Sequence, residues 1–211
     1  VDRDAILESL PAVQRVALAY ALPASRDAWL GLLALDTRLA RLVRETREPM
    51  LGQIRLAWWR ERLSEPVAQH PKGEPLLALL GERADGLVSL VDGWEVMMDE
   101  PPLPRGSVSA FAAGRAEALV GLGDPANASA ITRMGRRWAL ADLALRMSHP
   151  EECRHAADLL AAEGTEPIDL PREMRPLIVL EGLAARDLRR GGEGAGMGAL
   201  LATLRLGIFG R

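Results

Sequence analysis

Cysteine is almost missing from this chain. One residue, Cys153, in 211 excludes an intrachain disulfide, and no Cys-x-x-Cys or mixed Cys/His spacing surrounds it to suggest zinc. A reducing compartment is therefore expected. Lysine is as scarce: Lys72 stands alone, and the other basic residues are arginine. That skew fits genome base composition as well as a need for bidentate anion contacts. Aromatics are only 4% of residues and β-branched runs are few, which argues against a sandwich or barrel. A formal net charge of −3 excludes a general nucleic-acid binder, which would carry a basic balance or stripe. No stretch reaches the roughly 18 uncharged apolar residues of a membrane span. The opening Val1, Asp2, Arg3 and Asp4 begin no apolar signal region, so a cytoplasmic protein is expected. There is no P-loop, no Gly-x-Gly-x-x-Gly phrase after a strand and no Gly-x-Ser-x-Gly elbow. His70, His149 and His155 are isolated and have no i,i+4 ligand partner.

What is present is helical. Alanine, leucine and arginine are abundant, all good helix formers, and 48% hydrophobic residues over this length suit one globular domain spanning 1–211. Trp29, Leu32, Leu33, Leu39, Leu42 and Val43 recur at three- and four-residue spacing, which predicts a helix over Arg26–Glu45 with Ser25 as N-cap and Pro49 beyond its end. A second helix is predicted over Met50–Ser64, followed by a loop from His70 to Pro75. Leu76–Met98 is helical but interrupted by Gly81, Gly86 and Gly93, which predicts two segments or close helix packing. Further helices are predicted over Ser107–Leu122, capped by Ser107 or Ser109, and over Ala126–Met147, Glu151–Glu163 and Arg172–Arg190. Gly191–Gly198 reads as a flexible segment, and Ala199–Phe209 as a last apolar segment. Seven or eight helices with short connections and no strand pattern describe an all-α bundle.

The segment Pro49–Leu63, Pro-Met-Leu-Gly-Gln-Ile-Arg-Leu-Ala-Trp-Trp-Arg-Glu-Arg-Leu, resembles the helix after the first active-site helix of the squalene/phytoene synthase family. Leu22–Arg44 is similar to the preceding family helix, with Leu33-Ala34-Leu35-Asp36-Thr37 at the place of the family's Tyr-Ala-Phe-x-Arg phrase. Phe111–Gly121 resembles the small-residue helix of the family's middle region, and Gly135–Met147 the helix bearing its second aspartate-rich motif. The resemblance implies a single-domain bundle of the isoprenoid synthase type. It also implies, for active members, transfer between two prenyl diphosphates assisted by Mg²⁺, whose oxygen ligands come from carboxylates one helical turn apart.

This chain departs from that pattern. The first motif's aspartate positions fall on Ala40, Arg41 and Arg44, and the second motif's metal-binding position falls near Arg146, with Asp142 four residues earlier. Arginines there would repel the ion and oppose a carbocation. A similar branch of the family keeps the Arg-Leu-x-Trp-Trp-Arg phrase with eroded aspartates, and its mitochondrial members are assembly factors for respiratory complex I. The expectation is thus a scaffold without prenyl transfer activity that needs no cofactor and takes a protein partner or an isoprenoid-like ligand. The rival is an active head-to-head prenyl transferase using Mg²⁺ held by Asp36, Asp99 and Asp142. Ligand-pocket candidates are Asp36, Ala40, Arg41, Arg44, Arg55, Trp59, Asp142 and Arg146. Arg41 and Arg44 are set apart as forks for a metal-free diphosphate, phosphate or carboxylate. Of the adjacent tryptophans, Trp58 is assigned to the core and Trp59 to a groove or packing role. Asp142, alone on its helix, reads as a solvated or salt-bridged residue. The apolar Leu200–Phe209 tail raises weak peripheral membrane association, set against a packed terminal helix.

Overall fold

A computed structural model describes residues 1–191, which form ten α-helices with no strand among them. In chain order these are α1 (Arg3–Glu8), α2 (Ala12–Leu18), α3 (Arg26–Glu45), α4 (Pro49–Ser64) and α5 (Pro75–Leu80), then α6 (Val88–Glu95), α7 (Arg105–Val120), α8 (Ala128–Ala144), α9 (Pro150–Ala162) and α10 (Arg175–Arg189). The glycine cluster and the apolar tail foreseen after Gly191 lie outside the described residues. Proline sits in the first turn of α4, α5, α9 and α10, where its missing N–H costs nothing because the first turn's amides have no intrahelical partner.

The long helix α3 matches its predicted limits. Its stripe of Trp29, Leu32, Leu33, Leu35 and Leu39 is buried to 1% exposure or less, and the Trp29 indole N–H donates to the Glu173 carbonyl at 3.0 Å. Ser25 precedes the helix without capping it, because its hydroxyl donates instead to the Leu22 carbonyl. The start of α7 also differs from expectation: the helix begins two residues before Ser107, directly after Pro104, and neither serine caps it. α10 begins at Arg175 after a 3₁₀ turn at Arg172–Met174. The two N-terminal helices were not foreseen. They are too short to show a repeating pattern, at six and seven residues.

The central layer is α6, α7 and α8, with α9 and α10 packed on α8 and with α3 and α4 against α6. Small residues permit the closest crossings. At Gly114 an added Cβ would collide with the Ser89 carbonyl oxygen and lie 3.1 Å from the Gly93 Cα, so α6 and α7 meet backbone to backbone. At Gly135 an added Cβ would lie 3.0 Å from the Ala116 Cα, so α8 also approaches α7 closely. Gly81 has φ +53°, a left-handed conformation suited to glycine; it ends α5 and splits the Leu76–Met98 stretch, as expected. The main core runs from α2 and α3 through α10, and a smaller cluster centred on Phe111, Leu140 and Leu143 fills the space under α9.

Candidate functional site

The close crossings set neighbouring side chains of α6, α7 and α8 against α3. Asp36, Ala40 and Arg44 recur every fourth residue of α3, so they share one face, and all three line a cleft of about 270 Å³. Asp142 and Arg146, again four apart, come from α8 and its C-terminal turn; Trp94 comes from α6, Gln14 from α2 and Arg115 from α7. Gln14 is fixed there by the Thr37 hydroxyl, which donates to its side-chain oxygen at 2.9 Å.

Arg115 organises this cleft. It is 2% exposed and Asp36 is 1% exposed. One guanidinium nitrogen donates to Asp36 Oδ2 at 2.5 Å and the other to Asp142 Oδ2 at 2.8 Å. The guanidinium carbon lies 3.8 Å from the Trp138 ring centroid, within reach of a cation–π interaction. The second oxygen of each carboxylate is also occupied. Asp36 Oδ1 accepts from the Trp94 indole N–H at 2.8 Å, and Asp142 Oδ1 accepts from Arg146 Nε and Nη2 at 3.0 and 2.8 Å. Of the side-chain atoms in this network, only Arg115 Nε is buried without a partner among the described residues.

The titration of these groups follows from the geometry. Burial alone would favour neutral Asp142, but the Arg115 and Arg146 guanidiniums outweigh it and hold this carboxyl below the usual carboxylate range. Burial likewise opposes the charge on Arg115, and the two carboxylates overcome it, raising the guanidinium further above its already high value. A buried charge left alone costs several kcal/mol, on the order of 3–5 when one partner of a pair is removed. Two acids flanking one arginine therefore form a closed unit with one surplus negative charge, which Arg146 at the rim neutralises.

Sequence reasoning brought five of its candidates to this cleft and three elsewhere. Arg41 follows Ala40 by one residue, a turn of about 100°, so it leaves the cleft and lines a second one of about 310 Å³ between α3 and α4, together with Arg55 and Trp59. Arg41 and Arg44 therefore do not act as one fork. The core role expected of Trp58 is not met: Trp58 is 38% exposed, while Trp59, 4% exposed, packs in the core and lines the groove. The two rings meet edge to face with centroids 5.1 Å apart, and Arg38 lies over the Trp59 ring at 6.0 Å. Asp99 lies outside the first cleft, exposed and accepting from the Ser107 hydroxyl at 3.1 Å.

Arg115 is the residue that sequence reasoning missed. Its neighbours one turn away on α7, Phe111, Ala112, Ala118 and Leu119, are all buried. An arginine on a face otherwise made of alanine, leucine and phenylalanine is the signal that could have found it, because a cation there must meet buried acids. Asp36 on α3, flanked by Leu32, Leu33 and Leu39, carries the matching signal. A third cleft, of about 270 Å³ between α2, α8 and α10, shares Gln14, Asp142 and Arg146 with the first. No protein-family model, curated protein or solved structure matches this chain, so the meaning of the site rests on its own geometry.

Proposed function

We propose that this chain is a cytoplasmic scaffold of the squalene/phytoene synthase type that binds a protein partner or an isoprenoid-like ligand without carrying out prenyl transfer. The observation that carries the reading is the Arg115 clamp, which engages both aspartates facing the cleft. The positions that the resemblance assigns to metal ligands are Ala40, Arg41, Arg44 and Arg146, none of which offers a carboxylate. Asp36 and Asp142 have both oxygens occupied by Arg115, Trp94 and Arg146. This donor set does not fit Mg²⁺, which needs several oxygen ligands free to turn toward it. Capturing the ion would require breaking a buried ion pair. The lone Cys153 is free, in keeping with a reducing compartment.

What the cleft offers instead is a cationic rim over an apolar wall. Arg44 is exposed at the edge and makes no ion pair with the described residues, while Val43, Met97 and Leu143 supply apolar surface. That combination suits an anionic head on a hydrocarbon body.

The rival reading, an active head-to-head prenyl transferase, draws on Asp36 and Asp142 facing one cleft; its third ligand, Asp99, is outside it. Calorimetric titration with farnesyl diphosphate, with and without Mg²⁺, and a product assay on the same protein separate the two. Binding that is indifferent to Mg²⁺, or no binding, with no head-to-head product agrees with the scaffold. Magnesium-dependent binding with turnover overturns it.

A further inference from the structure

The helix α4 is apolar on two opposite faces, and only one is used. Gly52, Leu56, Trp59 and Leu63 are buried against the rest of the protein. Met50, Leu51, Ile54 and Trp58 form a second stripe at the i, i+1, i+4, i+8 positions, and they remain 72%, 47%, 59% and 38% exposed. A row of four large apolar side chains on the outside of one helix is not the scattered exposure that any soluble surface shows.

The charge around this stripe has one predominant sign. Residues 38–62 carry seven arginines against three glutamates, in a chain whose formal net charge is −3; Arg38, Arg60 and Arg62 of these are paired with Glu74, with Asp92 and Glu95, and with Glu61 and Glu65. Arg41, Arg47 and Arg55 make no ion pair with the described residues. Arg41 and Arg55 line the groove beside Trp58, and Arg47 stands in the turn that leads into α4. Free guanidiniums beside protruding apolar side chains, with a tryptophan at the edge of the stripe, are the features of a helix lying in a lipid interface. A planar guanidinium fork is also the side chain best matched to a phosphate. No helix among the described residues is long and apolar enough to cross a membrane, so the contact would lie in the plane of the surface.

We propose that the outer face of α4 docks on an anionic bilayer surface, with Met50, Leu51, Ile54 and Trp58 at the headgroup–acyl boundary and Arg41, Arg47 and Arg55 on lipid phosphates. Glu45, Glu48 and Glu61 share this region and oppose the attraction, so docking is reversible and depends on both the anionic lipid content and the salt. The proposal is independent of what the cleft binds and of the Leu200–Phe209 tail.

The test is co-sedimentation of the full chain with vesicles of phosphatidylcholine alone and of equimolar phosphatidylcholine and phosphatidylglycerol. Binding is expected to the anionic vesicles only, to weaken as salt is raised, and to fall roughly tenfold or more in Arg41→Glu/Arg55→Glu and in Ile54→Asp/Trp58→Asp. A blue shift of tryptophan emission on binding, diminished in Trp58→Phe, should accompany it. The salt titration of the unaltered chain keeps the test valid if either double variant misfolds. Failure to bind anionic vesicles, as a protein-only interface would give, overturns the proposal. So does undiminished binding by both variants with native helicity, which would place the contact elsewhere.

Discussion

Two clefts flank α3, both rich in arginine, and they hold that charge in opposite ways. On one side Arg115 is sealed between Asp36 and Asp142 and stacked on Trp138. On the other, Arg41 and Arg55 project beside Trp58 with no ion-pair partner among the described residues. The same residue type is structural in the first setting and available in the second. Burial decides which: an enclosed guanidinium must be neutralised by its own protein, whereas a hydrated one is free to meet a ligand. Counting arginines could not have separated these roles.

The comparison breaks most visibly at Arg115. Replacing it with methionine leaves two buried carboxylates facing each other, and a loss of about 3–5 kcal/mol is expected in chemical denaturation. Arg55→Met, on the open side, should change stability by no more than about 0.5 kcal/mol. Adding Asp36→Asn and Asp142→Asn to the methionine variant should recover much of the loss, since the unpaired charges are then gone. Equal effects at Arg115 and Arg55 would refute the contrast.

The tryptophan pair sharpens the same point with a smaller range. Trp59→Ala empties a packed site and should cost about 3 kcal/mol or more, while Trp58→Ala should cost about 1 kcal/mol or less. Thermal melts of the two variants would check it.

The smallest effect is expected from pH. Asp142 has its pKa depressed in the folded protein, so the stability it contributes is fully present above the ordinary aspartate value near 4 and is lost as pH falls through the lower folded value. Urea midpoints should therefore drop on acidification below about pH 4, with a shallower slope in Asp142→Asn. The open cleft has no corresponding acid pair among its lining residues.

The fold was readable where one face dominates. α3 shows a single apolar stripe from Trp29 to Leu39, and Pro49 bounds it, so its limits could be placed to the residue. On α4 the same reasoning misplaced Trp58, because a helix with apolar side chains on two faces gives no unique inward direction. The site was legible in part for a related reason. Four-residue spacing gathered Asp36, Ala40 and Arg44 on one face and Asp142 and Arg146 on another, but nothing local showed that Arg115, far away in the chain, would join them. That pairing depends on Gly93, Gly114 and Gly135 letting three backbones approach, a tertiary property that periodicity does not encode. The arginine forks at Arg41 and Arg44 were grouped by sequence proximity, which a helix overrides within one residue.

One wall of the first cleft is contributed by α2, and the element just before it has a kinetic consequence. α2 is seven residues long but sets Gln14, Ala17 and Leu18 in the interior. α1 has six residues and none buried, and an exposed Arg3–Asp27 pair ties it to α3. A helix this short holds little protection of its own. Its amide hydrogens should exchange with deuterated water through local opening, well before those of α3, α7 and α8, whose exchange waits for the buried Arg115 pairs to separate. The charged centre of the protein should thus be its slowest-exchanging part, and α1 one of its fastest.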